Sequence, residues 1–177
     1  MKEQVRMYIT KEEIEKRVQE LGKAIEADYG DKPLTMVCVL KGGVMFMADL
    51  CRAVQSTPVY FDFMDVSSYG NGTVSSGRVR ILKDLEESPE GKDILLVEDV
   101  VDTGRTLTAL RQLLLNRGAN SVRICTFLDK PARRVVELTP DYVGITIPDA
   151  FVVGYWRDYA QRYRNLDYVG ILELSEE

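Results

Sequence analysis

Residues Ile94–Leu107 read Ile-Leu-Leu-Val-Glu-Asp-Val-Val-Asp-Thr-Gly-Arg-Thr-Leu and carry the strongest structural signal in this chain. The branched apolar run from Ile94 to Val97 predicts a buried parallel strand. Two adjacent carboxylates, Glu98 and Asp99, follow it, and a third acid, Asp102, opens a short loop before a helical pattern begins. In open α/β sheets, ligands bind where the carboxyl end of a strand leads into a helix. The stretch therefore predicts both an α/β fold and a binding site.

The loop after this strand offers the groups that a phosphate monoester needs. Backbone N–H groups at a helix N-terminus, the hydroxyls of Thr103 and Thr106, and a glycine that permits close approach all favour an anion. The preceding acids would repel a bare phosphate, so we expect a ligand with a phosphate at one end and a diol or metal-bound oxygens at the other. A ribose 5-phosphate fits. Patterning alone leaves one alternative, a strand capped by solvated acids with Asp102 or Thr103 as a helix N-cap.

Two commoner phosphate motifs are missing from the sequence. It contains neither the Gly-x-x-x-x-Gly-Lys-Ser/Thr loop of nucleoside triphosphate sites nor the Gly-x-Gly-x-x-Gly pattern of dinucleotide sites.

The whole-chain composition limits the classes of function. A length of 177 residues predicts one domain, and the net charge of −5 argues against a nucleic-acid partner. There is no apolar run of membrane-spanning length and no signal-peptide core, so we expect no membrane partner and a cytoplasmic location.

The three cysteines lack Cys-x-x-Cys spacing and are expected to be reduced. Because the chain has no histidine, proton transfer must use other groups, and a metal held by its many acids should be a hard ion such as Mg²⁺.

Strand and helix patterns alternate through the centre of the chain, which predicts a doubly wound, mainly parallel central sheet with flanking helices. The terminal segments should form a small cap, or hood, over its carboxyl edge, and residues 1–177 should be a single domain. A Gly/Ser-rich loop at about residues 67–78 is expected to be flexible. The predicted helices are Thr10–Tyr29, Val44–Val54 and Thr106–Asn116, and the predicted strands are Leu34–Leu40, Val59–Val66, Arg78–Leu82, Asp93–Val97, Ser121–Leu128, Tyr142–Ile147, Phe151–Tyr155 and Tyr168–Leu172.

Residues Val97–Leu107 resemble the phosphoribosyl-pyrophosphate signature of the purine and pyrimidine phosphoribosyltransferases, in which two acids and Asp-Thr-Gly-x-Thr follow a hydrophobic strand. The resemblance implies a type I phosphoribosyltransferase-like fold and Asp102 as the catalytic proton acceptor beside N7 of a base. It implies that Mg²⁺ is held by Glu98, Asp99 and Asp158. The phosphoribosyl group would be bound by Glu98, Asp99, Asp102, Thr103, Gly104, Arg105 and Thr106.

A second strand-to-helix corner, Lys41-Gly42-Gly43, is expected on the same sheet edge. Alone it would be equally well explained as a plain turn with a solvated lysine. In the family this chain resembles, the corresponding loop binds pyrophosphate, often through a non-proline cis peptide. The resemblance therefore implies a pyrophosphate site formed by Lys41, Gly42, Ser68, Tyr69 and Arg164, with Ser68 and Tyr69 on a loop that closes over the site and excludes water.

The C-terminal third resembles the hypoxanthine-guanine phosphoribosyltransferases, the members of this family that use 6-oxopurines, and the resemblance extends from about Ile9 to Leu172. It implies a base site formed by Lys130, which donates to O6, by Phe151, which stacks on the ring, and by the backbone of Val152 and Asp158. Singly, each of these residues is better explained by a structural role, because most aromatic side chains lie in the core and most charged ones are solvated. The implied assembly is a homodimer or homotetramer.

Trp156-Arg157 departs from the family pattern, which has a small residue and a leucine before the metal-binding aspartate. Arg157 could lie over the base, reach a 2-oxo group or extend into solvent.

The expected reaction is transfer of a phosphoribosyl group from 5-phosphoribosyl 1-pyrophosphate to hypoxanthine, guanine or xanthine, with release of pyrophosphate. The chief alternative is a non-catalytic regulator on the same fold that senses phosphoribosyl pyrophosphate. A pyrimidine or adenine enzyme is disfavoured by Lys130 and by Phe151-Val152.

Overall fold

A computed structural model describes residues 2–68 and 79–175. In this part of the chain, the helices are α1 (Lys11–Tyr29), α2 (Val44–Ala53) and α3 (Arg105–Asn116), with a 3₁₀ turn at Pro131–Arg133. The strands are β1 (Lys2–Ile9), β2 (Leu34–Leu40), β3 (Val59–Ser68), β4 (Val79–Lys83), β5 (Asp93–Val101), β6 (Ser121–Asp129), β7 (Tyr142–Thr146), β8 (Val152–Val153) and β9 (Val169–Ser175).

Six strands form the central sheet in the order β4-β3-β2-β5-β6-β7. All neighbours are parallel except β4, which pairs antiparallel with β3 at the edge. The innermost strands are apolar on both faces, as expected for a sheet covered on both sides. The predicted doubly wound, mainly parallel sheet is confirmed.

Alternate residues of β5 enter two separate cores, because successive side chains of a strand point to opposite faces. Leu95 and Val97 pack with α1 and α2, whereas Ile94 and Leu96 pack with α3. A capping box at Thr10 and Glu13 begins α1. This two-sided packing buries the sheet and leaves its carboxyl edge as the open surface.

A smaller antiparallel sheet in the order β1-β9-β8 joins the two ends of the chain. It forms the predicted hood. The strand expected at Phe151–Tyr155 is only Val152–Val153, because the backbone turns at Gly154 and Tyr155, which have φ values of 88° and 48°.

Other predicted boundaries are also wrong: β9 extends three residues beyond the predicted end at Leu172, and two further differences affect the site. Strand β5 does not end at Val97 but continues to Val101, because its ladder with β6 extends to Val101 and Asp129. The acids Glu98 and Asp99 therefore lie within the strand. Likewise, β3 continues to Ser68, beyond the predicted end at Val66, because it pairs with β4. The remainder of the predicted flexible loop, residues 69–78, lies outside the described residues.

None of the helices described is both long enough and apolar enough to cross a membrane.

Candidate active site

Two acids lie at the carboxyl end of β5, the central strand of the edge where ligands are expected. Asp99 is 9% exposed, and its backbone N–H donates to Glu98 Oε1 at 3.0 Å. Burial raises the pKa of Glu98 well above its usual range, and the neighbouring charge of Asp99 raises it further. Asp99 is buried and Glu98 is half-buried, so a cation or hydroxyl donors would stabilise this pair of adjacent acids.

The loop from Asp102 to Thr106 joins β5 to α3. Gly104 has a φ of 81°, and a Cβ added there would lie 3.0 Å from Arg134 Cδ, so this turn requires glycine. The N-cap of α3 is Gly104 itself, without a side-chain cap, and not Asp102 or Thr103. Thr103 Oγ1 instead accepts from the backbone N–H of Arg105 at 3.4 Å.

A cavity of about 230 Å³ adjoins this loop, and α3 begins beside it. The polar residues and the glycine that line this cavity are Glu98, Asp102, Thr103, Gly104 and Thr106. A small cavity at a helix N-terminus suits one phosphate group.

Arg134 supports the loop from behind, a role that sequence reasoning did not identify. Its guanidinium donates to the carbonyl oxygens of Asp102 at 2.8 Å and Leu138 at 2.9 Å, and it forms an ion pair with the buried Asp129. These contacts join three segments of the chain, so no local pattern indicates them.

The second corner lies directly against β5. The Leu40–Lys41 peptide bond is cis. A Cβ added at Gly42 would lie 2.7 Å from Asp99 Oδ2, so glycine is needed for the loop to approach this carboxylate. Lys41 is exposed at the same corner.

A larger cavity of about 910 Å³ brings most of the predicted site residues together. Val66, Val100 and Asp102 line both this cavity and the smaller one, so the two are adjacent. The predicted site residues that line the larger cavity are Lys41, Gly42, Asp99, Asp102, Lys130, Phe151, Val152, Asp158 and Arg164. Glu98, Thr103, Gly104 and Thr106 line the smaller cavity, and Arg105 lines neither.

Lys130 and Asp102 face each other in the larger cavity. Lys130 is 8% exposed, and its Nζ lies 3.8 Å from Asp102 Oδ1. Arg133 Nε lies 4.0 Å from the same oxygen. Asp102 Oδ1 is buried and has no hydrogen-bond partner, whereas the Asp102 side chain as a whole is 43% exposed, so a ligand in the cavity can reach the carboxylate.

Asp158 and Arg164 form an ion pair in the hood at 3.0 Å. Arg164 also donates to the carbonyl of Trp156 at 2.6 Å, and its guanidinium lies 5.7 Å from the centre of the Trp156 ring. Phe151 is 54% exposed and contacts Tyr159 edge to face. The ring of Phe151 thus has an exposed surface beside the cavity.

Several expected groups are not brought together. No three Asp, Glu, Cys or His side chains in the described part of the chain are arranged to hold a metal ion, so Glu98, Asp99 and Asp158 do not form a compact cluster. Tyr69 and the side chain of Ser68 lie outside the described structure.

Arg157 is the main unexpected feature of the cavity. It lines the wall beside Asp158, is 6% exposed, and its three guanidinium nitrogens have no hydrogen-bond partner. The alternative in which it extends into solvent is wrong, because Phe127 and Tyr155 pack against it.

A doubly wound sheet, a glycine-containing loop between β5 and α3, and a small hood sheet together define a type I phosphoribosyltransferase fold. The phosphoribosyl transferase domain family matches residues 5–160. The chain belongs to this family, and the fold and family predicted from the sequence are confirmed.

Similar proteins agree with this assignment. The bifunctional protein TilS/HprT of Listeria monocytogenes serovar 1/2a is 52% identical over 95% of this chain, which spans only 26% of that longer protein. The hypoxanthine-guanine phosphoribosyltransferase of Bacillus subtilis is 52% identical over 95% of this chain and 93% of its own length. A crystal structure of a Staphylococcus aureus hypoxanthine phosphoribosyltransferase has a TM-score of 0.91 at 49% identity and covers 95% of this chain and 91% of that one.

Proposed function

We propose that this chain transfers the 5-phosphoribosyl group of 5-phosphoribosyl 1-pyrophosphate to a 6-oxopurine, forming a nucleoside 5′-monophosphate and pyrophosphate. One observation carries the proposal: two strand-to-helix corners flank the adjacent acids Glu98 and Asp99, and the buried Lys130 lines the same cavity as Asp99. The names of the relatives from Bacillus subtilis and Staphylococcus aureus support a 6-oxopurine as the acceptor.

The phosphoribosyl group would bind across the two adjoining cavities. Its 5-phosphate would accept from the backbone of the loop before α3 and from Thr103 and Thr106. Its hydroxyls would contact Glu98 and Asp99. The pyrophosphate would contact Gly42 and the cations Lys41 and Arg164. In this arrangement Ser68, the last residue of β3, and Tyr69, which follows it in the sequence, would complete the pyrophosphate site.

The base would lie at the hood end of the larger cavity. The Lys130 ammonium would donate to O6, Phe151 would stack on the ring, and backbone groups of Val152 and Asp158 would bind its edge. Asp102 would take the proton from N7 as the bond to C1 of the ribose forms. The distance of 3.8 Å between Lys130 and Asp102 supports this assignment, because O6 and N7 lie on the same edge of a purine.

The residues present fit a Mg²⁺ ion. Asp99 and Asp158 provide carboxylates in the larger cavity, Glu98 provides another in the smaller one, and oxygen is the ligand that Mg²⁺ prefers. A Mg²⁺ ion that binds together with substrate phosphates needs only one or two protein carboxylates, so a compact protein cluster is not required. When bound, Mg²⁺ neutralises the charge that develops on the departing pyrophosphate.

We further propose that the protein acts in the cytoplasm as a homodimer or homotetramer. Its three cysteines are free thiols, as expected in a reducing compartment. Phe61 and Phe63 lie on one face of β3 and are 54% and 37% exposed, an apolar surface that another copy would cover. Sedimentation velocity would test the assembly, and a purely monomeric species at micromolar concentration would contradict it.

An assay with five bases tests the proposed activity. The protein would be mixed with 5-phosphoribosyl 1-pyrophosphate and Mg²⁺, and each of hypoxanthine, guanine, xanthine, adenine and uracil would be added separately. We expect nucleotide and an equal amount of pyrophosphate with 6-oxopurines only. Preference for adenine or uracil would contradict the base assignment. Binding of phosphoribosyl pyrophosphate without turnover of any base would favour the sensing regulator.

A further inference from the structure

The side chain of Arg134 has partners in three segments of the chain. It is 13% exposed, and its Nε donates to the carbonyl of Leu138 at 2.9 Å. One Nη donates to the carbonyl of Asp102 at 2.8 Å, and the other forms an ion pair with the carboxylate of Asp129, which is 11% exposed. Arg134 is not among the described residues that line the two site cavities. Its guanidinium can therefore affect a ligand only through the residues that it holds.

The hydrogen bond to Asp102 holds the residue that is proposed to accept the N7 proton. Asp102 Oδ1 has no hydrogen-bond partner in the described part of the chain, and the cations of Lys130 and Arg133 lie 3.8 and 4.0 Å from it. The position of this carboxylate thus depends on its backbone. Arg134 holds that backbone at Asp102, and the same nitrogen lies 3.4 Å from the carbonyl of Val101. A fixed backbone matters here because a proton acceptor must lie within hydrogen-bond reach of the atom that loses the proton.

The same guanidinium also holds the chain beside Lys130. Asp129 is the last residue of β6, and Lys130 follows it directly. The ion pair of Arg134 with Asp129 and its hydrogen bond to Asp102 therefore join the segments that carry the proposed O6 donor and the proposed N7 acceptor. A planar guanidinium suits this role because its donors point in fixed directions and its charge is permanent.

Other contacts hold the part of the loop that is proposed to bind phosphate. The backbone N–H of Val135 donates to the carbonyl of Thr103 at 3.1 Å. A Cβ added at Gly104 would lie 3.2 Å from Val136 Cγ2, so the turn also packs against an apolar side chain. Neither contact uses the guanidinium. Its loss should therefore affect Asp102 more than the phosphate-binding groups.

We propose that Arg134 is a positioning residue that holds the proton acceptor Asp102 at its working distance from the O6 donor Lys130. This inference rests on the proposed phosphoribosyl transfer to a 6-oxopurine. Loss of the guanidinium would free the carbonyl of Asp102 and let the carboxylate move relative to N7. Because an error of about 1 Å in the position of a reacting group can lower a rate by about a hundredfold, the effect should appear in kcat.

Arg134→Met tests this role, with Arg17→Met as the matched control. Methionine keeps an unbranched side chain and removes every donor. Arg17 also donates to two backbone carbonyls, those of Val143 and Gly144, and pairs with the carboxylate of Glu20. It joins α1 to β7 and is not among the described residues that line the two cavities.

Steady-state kinetics would compare the two variants with the parent. We expect Arg134→Met to lower kcat about ten- to a hundredfold and to change the KM of phosphoribosyl pyrophosphate by less than about twofold. Arg17→Met should leave both constants unchanged. A kcat of Arg134→Met equal to that of an active parent would overturn the inference and leave the proposed function intact.

A double-mutant cycle with Asp102→Asn shows whether Arg134 acts through Asp102. If it does, Arg134→Met should lower kcat by less than about twofold in the Asp102→Asn protein, because the acceptor that it positions has already been removed. The full loss of about ten- to a hundredfold in both backgrounds would place the effect of Arg134 elsewhere and overturn the inference.

Removal of the charge of Asp129 separates positioning from a loss of stability. Arg134→Met leaves this buried carboxylate without its guanidinium, which destabilises the folded protein. When Asp129→Asn is combined with Arg134→Met, Tm should recover most of its loss while kcat stays low. Recovery of kcat together with Tm would make the role merely structural and overturn the inference.

Hydrogen exchange tests the inference without any turnover. In the protein that combines Asp129→Asn with Arg134→Met, amides between residues 99 and 107 should exchange about tenfold faster than in the parent, as for the loss of one hydrogen bond. Amides of α1 should be unaffected. A parent that converts no base would contradict the proposed function and leave this measurement valid. Unchanged exchange between residues 99 and 107 would overturn the inference even in an active enzyme.

Discussion

The ammonium of Lys130 lies 3.8 Å from the carboxylate of Asp102, and each belongs to a different segment of the cavity wall. Lys130 follows β6, and its backbone N–H donates to the carbonyl of Val101 at the end of β5 at 3.0 Å. This hydrogen bond fixes the two side chains relative to each other. The ammonium donor of Lys130 and the carboxylate acceptor of Asp102 are thus held close together. The proposed recognition of the O6/N7 edge of a purine requires such a pair.

Asp102→Asn should lower kcat by about ten- to a thousandfold with little change in KM, because an amide cannot accept the proton that leaves N7. Steady-state kinetics with hypoxanthine would measure this change. Asp149→Asn is the control, since Asp149 lines the same cavity and is paired with Arg133 at 3.2 Å but has no proposed role in proton transfer. If kcat of Asp102→Asn equals that of the parent, Asp102 is not the base.

Gly42→Ala should impair use of phosphoribosyl pyrophosphate, because the new methyl group would lie 2.7 Å from the carboxylate of Asp99. The loop or the acid must move, at a cost of about 1–3 kcal/mol in the free energy of unfolding. Thermal unfolding and the KM of phosphoribosyl pyrophosphate would report the two effects. Gly30→Ala is a control for the kinetics only: nothing lies within 4 Å of a Cβ added there, but its φ of 57° disfavours alanine, so this variant should lose stability without a change in KM. Unchanged kinetics in Gly42→Ala would show that the corner tolerates a side chain.

Removal of divalent cations should abolish nucleotide formation, because Glu98, Asp99 and Asp158 are proposed to hold Mg²⁺ beside the pyrophosphate. Activity should return with Mg²⁺ or Mn²⁺ and hardly at all with Ca²⁺, whose longer and more variable coordination fits such a site poorly. The rate of pyrophosphate release measures the effect. Full activity in excess chelator would refute the metal requirement.

The thiols of the folded protein should react slowly at neutral pH. Burial raises the pKa of Cys38 to about 12, and it also raises the pKa values of Cys125 and Cys51. Because the thiolate is the reactive form, a raised pKa reduces the reactive fraction, and labelling should accelerate as the pH increases. A thiol-specific chromophore should label three groups in denaturant and Cys51 first in the native protein. Rapid native labelling of Cys38 would contradict the buried position of β2.

Local sequence patterns determined the family, the doubly wound sheet and the glycine turn before α3. The apolar run from Ile94 and the Asp-Thr-Gly-Arg-Thr turn encode their conformation within a few residues, through burial on both faces and the positive φ that glycine permits. The same patterns did not identify the end of β5. Glu98 and Asp99 have the polarity of a loop, but the ladder with β6 keeps them in the strand.

Only the tertiary structure decided how the distant segments meet. Three contacts join parts of the chain that no local pattern relates. They are the approach of Gly42 to Asp99, the support of the loop before α3 by Arg134, and the burial of Arg157 against Phe127 and Tyr155. The sequence alone does not distinguish an arginine side chain that extends into solvent from one that lies beside a bound base. Packing of the hood against the central sheet excludes solvent from Arg157, because aromatic rings from β6 and from the turn after β8 occupy the space beside its guanidinium.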